Sequence, residues 1–162
     1  MIRKGNISDA AAMAEIFNHY VRTSTVIFSD IQLSADDMRH KINTLSLGNP
    51  YPFLVDESEG RLNGYCYAHL WHPDPVYGRT WEVTLYLAPD ACHRGIGSAL
   101  LSQLIGLCRD AGAHTLVSCV TADNLPCVKL QLRAGFTQVG CLKGVGYKFG
   151  RYLDDAFFQL TL

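Results

Sequence analysis

The sequence lacks the features that mark several large classes of protein. No apolar run approaches the ~18 residues that a membrane-spanning helix needs. The first apolar stretch is also too short for a signal peptide. Lys and Arg number 14 against 15 Asp and Glu, and they form no dense cluster, which argues against a nucleic-acid-binding surface. We therefore expect a globular protein that binds neither membranes nor nucleic acids.

Cysteine motifs are absent as well. The six cysteines lie at positions 66, 92, 108, 119, 127 and 141, and they form no Cys-x-x-Cys pair or zinc-ligand spacing. Scattered cysteines without a signal peptide indicate reduced thiols in a cytoplasm. His69 and His72 are separated by an odd number of positions on an expected strand, so they should face opposite sides. We therefore expect no metal.

What is present is a chain of 162 residues, 48% of them apolar, which is long enough to bury a hydrophobic core. It contains no repeat, low-complexity tract or linker, so we expect one domain over residues 1–162. Periodicity and turn residues predict the order β-α-α-β-β-β-α-β-α-β-β. This order is typical of an α/β or α+β domain in which a mixed sheet carries helices on both faces.

Capping residues mark where three of the helices begin. Ser8 or Asp9 can cap the first helix, and Ser34 can cap a second helix that runs to about Leu47. Asn124 can cap the last helix, which ends at a glycine. The other expected elements are a short strand at 2–4, an extended run at 24–28, two strands within 52–71, a strand at 81–88, a helix from 97 to about 111, a strand at 114–120, and closing strands at 136–142 and 155–162.

The stretch "RGIGSALL", residues 94–101, places two glycines where a helix begins. Glycine weakens a helix by roughly 1 kcal/mol relative to alanine, so its presence needs a reason. The alternatives are a simple turn and a loop whose bare N–H groups bind an anion at a helix N-terminus. No Gly-Lys-Ser/Thr follows, and Leu100 stands where a dinucleotide fingerprint has its third glycine. Coenzyme A is a phosphate carrier that fits the remaining possibilities.

Glu82 interrupts the apolar strand "WEVTLYL", residues 81–87. Alternation places Glu82, Thr84 and Tyr86 on one face of that strand. A carboxylate in a central strand is costly unless it is paired or functional, and a functional one could act as a general base. The alternative is a glutamate on an edge strand that faces solvent.

Three stretches together resemble the GCN5-related N-acetyltransferases: "WEVTLYLAPDACHRGIGSALLSQLI", "TADNLPCVKLQLRAGF" and "GYKFGRYLDDAFFQL". With "YCYAHLW", they are similar to the phosphinothricin and methionine sulfone acetyltransferase subgroup, and the resemblance covers nearly the whole chain. It implies a mostly antiparallel mixed sheet flanked by helices, acetyl-CoA as cosubstrate, and direct acetyl transfer to a small amino-acid-like amine. It also implies a homodimer.

The resemblance assigns roles to individual residues. Glu82 would take the proton from the acceptor amine. The backbone of Leu85, Tyr86 and Leu87 would bind the pantetheine arm. The residues around the pyrophosphate would be His93, Arg94, Gly95, Ile96, Gly97 and Ser98, with Asn124 and Arg133 as further coenzyme A contacts. The acceptor pocket would be formed by Trp71, His72, Tyr77, Glu82 and Thr84. For Arg94 and Arg133, a solvated surface charge is the alternative.

Several positions depart from the family pattern. Cys92 replaces the usual Gln or Arg at the start of the loop, and Gln131 replaces a His or Tyr. Glutamine is not a general acid, so Tyr147, water or the substrate itself would have to protonate the leaving thiolate. His72 and Val83 stand where the subgroup often has a cation and a histidine, so we expect a high Michaelis constant for the acceptor.

Three functions remain open from the sequence. The first is an N-acetyltransferase of a small amino-acid-like amine, and the second is one that acts on a protein N-terminus, an aminoacyl-tRNA or another amine. The third is a non-catalytic coenzyme A binding protein. The lack of a basic patch counts against the tRNA substrate, and Glu82 counts against the non-catalytic protein.

Overall fold

The computed structural model of the chain describes residues 1–46 and 51–162. Its elements follow the order that the sequence predicts. They are β1 (Ile2–Lys4), α1 (Ala10–Thr23), α2 (Ala35–Ser46), β2 (Phe53–Ser58), β3 (Arg61–Leu70), β4 (Thr80–Leu87), α3 (Ile96–Asp110), β5 (Thr115–Thr121), α4 (Leu125–Arg133), β6 (Thr137–Lys148) and β7 (Arg151–Thr161). Short 3-10 turns precede α1, β4 and α3.

The strands form a seven-stranded sheet in the order β1-β2-β3-β4-β5-β7-β6. Neighbouring strands are antiparallel except β4 and β5, which are parallel because α3 connects them as a crossover. This parallel pairing begins at Thr80 opposite Thr115 and ends at Glu82 opposite Val117. Both strands continue beyond that point, so β4 and β5 separate after Glu82.

Alternation along β2 and β3 divides the core between the two faces of the sheet. One face packs on α1 and α2 through Phe53, Val55, Tyr65 and Tyr67. The other packs on α3 and α4 through Leu54, Cys66 and Ala68, against the fully buried Leu100, Leu101 and Leu104. Burying one such leucine contributes about 1.5–3 kcal/mol, so packing on both faces stabilises the central sheet.

The start of the first helix differs from the prediction. Asn6, rather than Ser8 or Asp9, supplies the cap, because its side chain accepts the Ser8 N–H at 2.8 Å in the 3-10 turn before α1. The Asp9 carboxylate instead accepts the Asn6 N–H and pairs with Arg3 at 2.7 Å. Burial opposes ionisation of Asp9, but these hydrogen bonds hold its pKa below the usual value.

Two other caps confirm the prediction. Ser34 and Asp37 form a reciprocal capping box at 2.8 and 3.1 Å, although the expected end near Leu47 lies outside the described residues. Asn124 accepts the Cys127 N–H at 3.3 Å at the start of α4. The extended run expected at 24–28 is wrong, because those residues form bends without strand pairing.

The closing strands are longer than the sequence predicts. β6 and β7 form a hairpin whose turn is Phe149 and Gly150, both with positive φ, 50° and 76°. Two successive positive φ values match a tight type I′ connection, which usually contains Asn-Gly or Asp-Gly. The glycines at 144 and 146 interrupt the alternating pattern in β6, so the sequence pattern did not predict this part of the hairpin.

Candidate active site

The separation of β4 and β5 opens a cavity of about 790 Å³. Its walls are β4 from Glu82 to Leu87, the loop and first turn of α3, β5 from Ser118 to Val120, and α4. Among the residues that the structure describes, β4 has no strand partner on its β5 side beyond Glu82, so its backbone groups on that side face the gap. An extended ligand can therefore bind there as an added strand would.

The loop at the N-terminus of α3 is shaped for an anion. His93 and Gly95 both have left-handed backbones, with φ of 60° and 79°. A Cβ at Gly95 would meet no atom within 4 Å, so conformation rather than space favours glycine there. Such turns direct successive N–H groups to one point, next to the positive end of the helix. His93, Gly95 and Ser98 all line the cavity.

Gly97 has a different role from Gly95. A Cβ at Gly97 would lie 3.3 Å from Leu87 Cδ1 and 3.5 Å from Leu130 Cδ2. The glycine therefore lets α3 approach both β4 and α4 closely. A larger side chain would displace Leu87 and Leu130, which line the cavity, and would narrow it from that side.

The other residues expected around the cofactor are arranged less uniformly. Asn124 and Arg133 line the cavity at the two ends of α4, and the Asn124 side-chain oxygen is engaged in the helix cap. Arg94 is exposed and lies outside the lining. Ile96 is half-buried and packs against both cores, so only its backbone N–H is suited to the loop's anion site.

Glu82 lies where the two strands separate, at the inner end of the cavity. It is half-buried on a central strand, so the alternative of a solvent-facing edge residue is wrong. Its Oε2 is 3.7 Å from His69 Nε2, and Cys119 on β5 is a further neighbour of its carboxylate. Burial and the charges of Glu82 and Asp155 raise the pKa of Cys119 to about 12.

Asp155 adds a second carboxyl group to this region. Its Oδ1 is buried without a hydrogen-bond partner among the residues that the structure describes. Burial, followed by the charge of Glu82, raises the pKa of Asp155 above its ordinary value. Sequence patterns did not indicate this neighbour, because β7 reaches the site only through its pairing with β5.

Tyr20 is a cavity residue that the sequence analysis missed. Its hydroxyl donates to the Leu87 carbonyl at 2.8 Å and lies 3.7 Å from Cys92 Sγ. Burial raises the pKa of Tyr20, with the neighbouring Cys92 adding to the shift. Tyr20 thus fixes the outer end of β4. Its helical spacing in α1 indicated only a core residue.

Gln131 and Tyr147 have different surroundings. Gln131 is 3% exposed and lines the cavity, while its Oε1 has no hydrogen-bond partner among the described residues. Tyr147 is 67% exposed and stacks its edge on Tyr152 in the hairpin, outside the cavity lining. The structure therefore does not bring Tyr147 to the position of a leaving thiolate.

The expected acceptor residues divide into two groups. Glu82 and Thr84 line the cavity. Trp71 follows β3 and packs its ring 6.3 Å from that of Phe157, outside the cavity lining. The rings of His72 and Tyr77 are 4.8 Å apart in the exposed loop before β4, and they also lie outside the lining.

The described residues also lack two features. Across residues 1–46 and 51–162, no group of three or more His, Cys, Asp or Glu side chains could hold a metal ion. No helix within the same ranges is long and apolar enough to cross a membrane.

Comparisons with known proteins agree with this geometry. The sequence model of the acetyltransferase (GNAT) domain matches residues 2–157. A phosphinothricin N-acetyltransferase from Alcaligenes faecalis is 38% identical over 156 residues, which cover 95% of this chain and 78% of the relative. An L-methionine sulfoximine/L-methionine sulfone acetyltransferase from Salmonella typhimurium is 34% identical over 161 residues, covering 99% and 94%.

A solved structure gives the same result for the fold. An acetyltransferase from Salmonella typhimurium, crystallised with its cofactor acetyl-CoA, superposes with a TM-score of 0.96 at 34% identity. The match covers 100% of this chain and 93% of that one. The separated strands, the glycine loop at α3 and these similarities show that the chain belongs to the GNAT acetyltransferase family.

Proposed function

We propose that the protein is an N-acetyltransferase that moves the acetyl group of acetyl-CoA directly to a small amino-acid-like amine, of the phosphinothricin, methionine sulfone or methionine sulfoximine type. One observation carries this proposal. The carboxylate of Glu82 lies at the inner end of a cavity whose outer end is the glycine loop of α3. The anion site suits the phosphates of a long acyl donor that extends along the cavity. The base at the other end suits an amine that meets the acyl group of that donor.

The residues that line the cavity are suited to bind acetyl-CoA. The unpaired side of β4 at Leu85, Tyr86 and Leu87 would hydrogen-bond the pantetheine amides, and one N–H there would polarise the thioester carbonyl. The loop from His93 to Ser98 would bind the pyrophosphate at the N-terminus of α3. Asn124 and Arg133 would contact the cofactor from α4.

Glu82 would prepare the acceptor for attack. An amine is mostly protonated at neutral pH, so it must lose a proton to a base before it can attack, either directly or through a water molecule. Acetyl-CoA, when bound, supplies an activated acyl group on a thiol leaving group of pKa ~8.5. Gln131 can donate a hydrogen bond to the sulfur but no proton, so solvent or the acceptor would supply that proton.

A thiol-release assay tests the function. Purified protein is incubated with acetyl-CoA and a panel that contains phosphinothricin, methionine sulfone, methionine sulfoximine, a peptide, a polyamine and an aromatic amine. We expect release with at least one of the first three, at a high Michaelis constant. Release only with the other amines would contradict the acceptor class. Calorimetric binding of acetyl-CoA without release from any amine would instead favour a non-catalytic coenzyme A binding protein.

We also propose that the chain is one domain over residues 1–162 and that it works as a homodimer in the cytoplasm. Both cores share the central sheet, which supports a single folding unit. All six cysteines are free thiols, which supports a reducing compartment. Exposed apolar side chains at the end of the β6–β7 hairpin, among them Tyr147, Phe149 and Tyr152, support a contact with a second copy.

A further inference from the structure

His69 lies next to Glu82 on the neighbouring strand, on the same face of the sheet. The antiparallel register of β3 and β4 pairs the two residues directly, and His69 Nε2 lies 3.7 Å from Glu82 Oε2. The other ring nitrogen, Nδ1, lies 3.0 Å from the Leu70 carbonyl oxygen. A carbonyl oxygen only accepts hydrogen bonds, so Nδ1 carries the proton of the neutral ring. Nε2 therefore presents its lone pair to Glu82.

The other groups around Glu82 are poorly suited to carry a proton away. On β5, Cys119 holds its proton, because burial and two nearby carboxylates raise the pKa of its thiol to about 12. On β4, burial raises the pKa of the Tyr86 hydroxyl. On β7, Asp155 is a further carboxyl group whose Oδ1 is buried.

His69 also connects the site to solvent. Its side chain is 35% exposed, whereas that of Glu82 is 24% exposed. Its ring lies 5.9 Å from that of Tyr67, and Lys41 from α2 lies over the Tyr67 ring. Among the described groups that face Glu82, only His69 combines an available lone pair with a solvent-accessible side chain.

We propose that His69 is a relay residue that takes from Glu82 the proton removed from the acceptor and passes it to solvent. This inference rests on the proposed function, in which Glu82 is the base. An ammonium N–H bond breaks, its electron pair stays on the nitrogen, and the proton goes to Glu82 Oε2. The Glu82 O–H bond then breaks, and the proton forms a bond to His69 Nε2. Water removes that proton from the imidazolium, and both side chains return to their starting states.

The 3.7 Å separation is longer than a hydrogen bond, as is common for catalytic groups before the substrate binds. A small ring rotation or one bridging water closes it. Because Nδ1 is held by the Leu70 carbonyl, such a rotation keeps Nε2 directed at Glu82.

The test compares His69→Ala and His69→Gln with His114→Ala, an exposed histidine outside the cavity lining. Turnover is measured on the best acceptor of the panel across pH, with and without added imidazole. We expect His69→Ala to lower kcat by about 10- to 100-fold, within the range of proton-transfer contributions, with the KM for acetyl-CoA unchanged. Imidazole should restore much of the rate in His69→Ala, since it fits the space left by the ring.

The second variant and the control complete the test. His69→Gln should be as slow as His69→Ala without rescue, because the glutamine fills the space, and His114→Ala should match the wild type. Turnover of His69→Ala within twofold of wild type would overturn the relay, as would a loss that imidazole does not restore. A wild type that acetylates no amine in the panel would instead overturn the proposed function, and the relay with it.

Discussion

At the residue scale, Glu82 is the position whose replacement is most informative. Glu82→Gln keeps the shape and polarity of the side chain but removes the base. We expect turnover at neutral pH to fall by on the order of 10²–10⁴ with little change in acetyl-CoA affinity. The rate should recover partly at high pH, where more of the amine is free. Steady-state kinetics and calorimetric titration give the two quantities.

An exposed glutamate on α1 provides the matched control. Glu15→Gln makes the same chemical change on the surface of α1 and should leave both quantities as in the wild type. If Glu82→Gln turned over at the wild-type rate at pH 7, Glu82 would have a structural role only.

Asp155 gives a prediction about stability. Burial and the charge of Glu82 raise the pKa of the Asp155 carboxyl group. This carboxylate therefore binds a proton more readily in the folded protein than in the unfolded chain. Its contribution to stability is therefore present at low pH and is lost as pH rises through the folded pKa. Asp155→Asn should raise the melting temperature at pH 7 by on the order of 2 °C, and by less at pH 4.

Thermal denaturation at pH 7 and pH 4 measures whether the melting temperature of Asp155→Asn rises more at the higher pH. Asp154→Asn is the control, since Asp154 is on the opposite side of β7 and pairs with Lys143 at 2.8 Å. It should produce no rise at pH 7. An Asp155→Asn effect of equal size at both pH values would show that its charge is not the cause.

The sequence identified some of these residues and not others for a physical reason. Glu82 could be predicted because strand alternation and the cost of a central carboxylate both depend on local sequence. His69 and Asp155 reach Glu82 through the pairing of β3 with β4 and through β7 on β5. Register between strands is a property of the assembled sheet, and periodicity within one segment does not specify it.

At the element scale, the glycine loop of α3 provides the sharpest test. A Cβ at Gly97 would lie 3.3 Å from Leu87 and 3.5 Å from Leu130, so the branches of a valine would push both into the cavity. Gly97→Val should weaken acetyl-CoA binding on the order of tenfold or more, about 1.4 kcal/mol or above, while the protein stays folded. Calorimetric titration with acetyl-CoA measures the change.

The same helix contains a control position. A Cβ at Gly106 would meet no atom within 4 Å, so Gly106→Val tests the effect of valine in α3 without crowding. It should bind acetyl-CoA as the wild type does. Unchanged affinity in a folded Gly97→Val protein would mean that this part of the wall does not contact the cofactor.

The sequence predicted the start of a helix correctly at α2 and α4, where a side chain caps that helix. Ser34 and Asn124 were identified because their oxygens cap the next helix. The bends at 24–28 lack a strand partner, which a β-branched segment alone does not reveal. The turn at Phe149 and Gly150 adopts a conformation in which asparagine or aspartate usually precedes the glycine. Phenylalanine stands there instead, so the sequence did not predict the turn.

At the scale of the whole molecule, the cavity results from a change of pairing within one sheet. β4 pairs fully with β3 on one side and only as far as Glu82 with β5 on the other. The two cores hold β4 in place from both faces, so its unpaired side stays open for a ligand. The predicted element order allowed this topology, but only the assembled sheet shows where the strands separate.

The β6–β7 hairpin at the edge of the sheet is the expected contact between two copies of the chain. Its outer end exposes Tyr147, Phe149 and Tyr152, the last 72% exposed, around the turn between β6 and β7. Clustered aromatic side chains of this kind mark protein interfaces, and a charge at their centre would oppose association. We expect the wild type to be a dimer by light scattering and Tyr152→Glu to be a monomer. Leu107→Glu, which alters an exposed apolar side chain on α3, should stay dimeric. A Tyr152→Glu protein that remains a dimer would place the interface elsewhere on the molecule, and a monomeric wild type would exclude a stable dimer altogether.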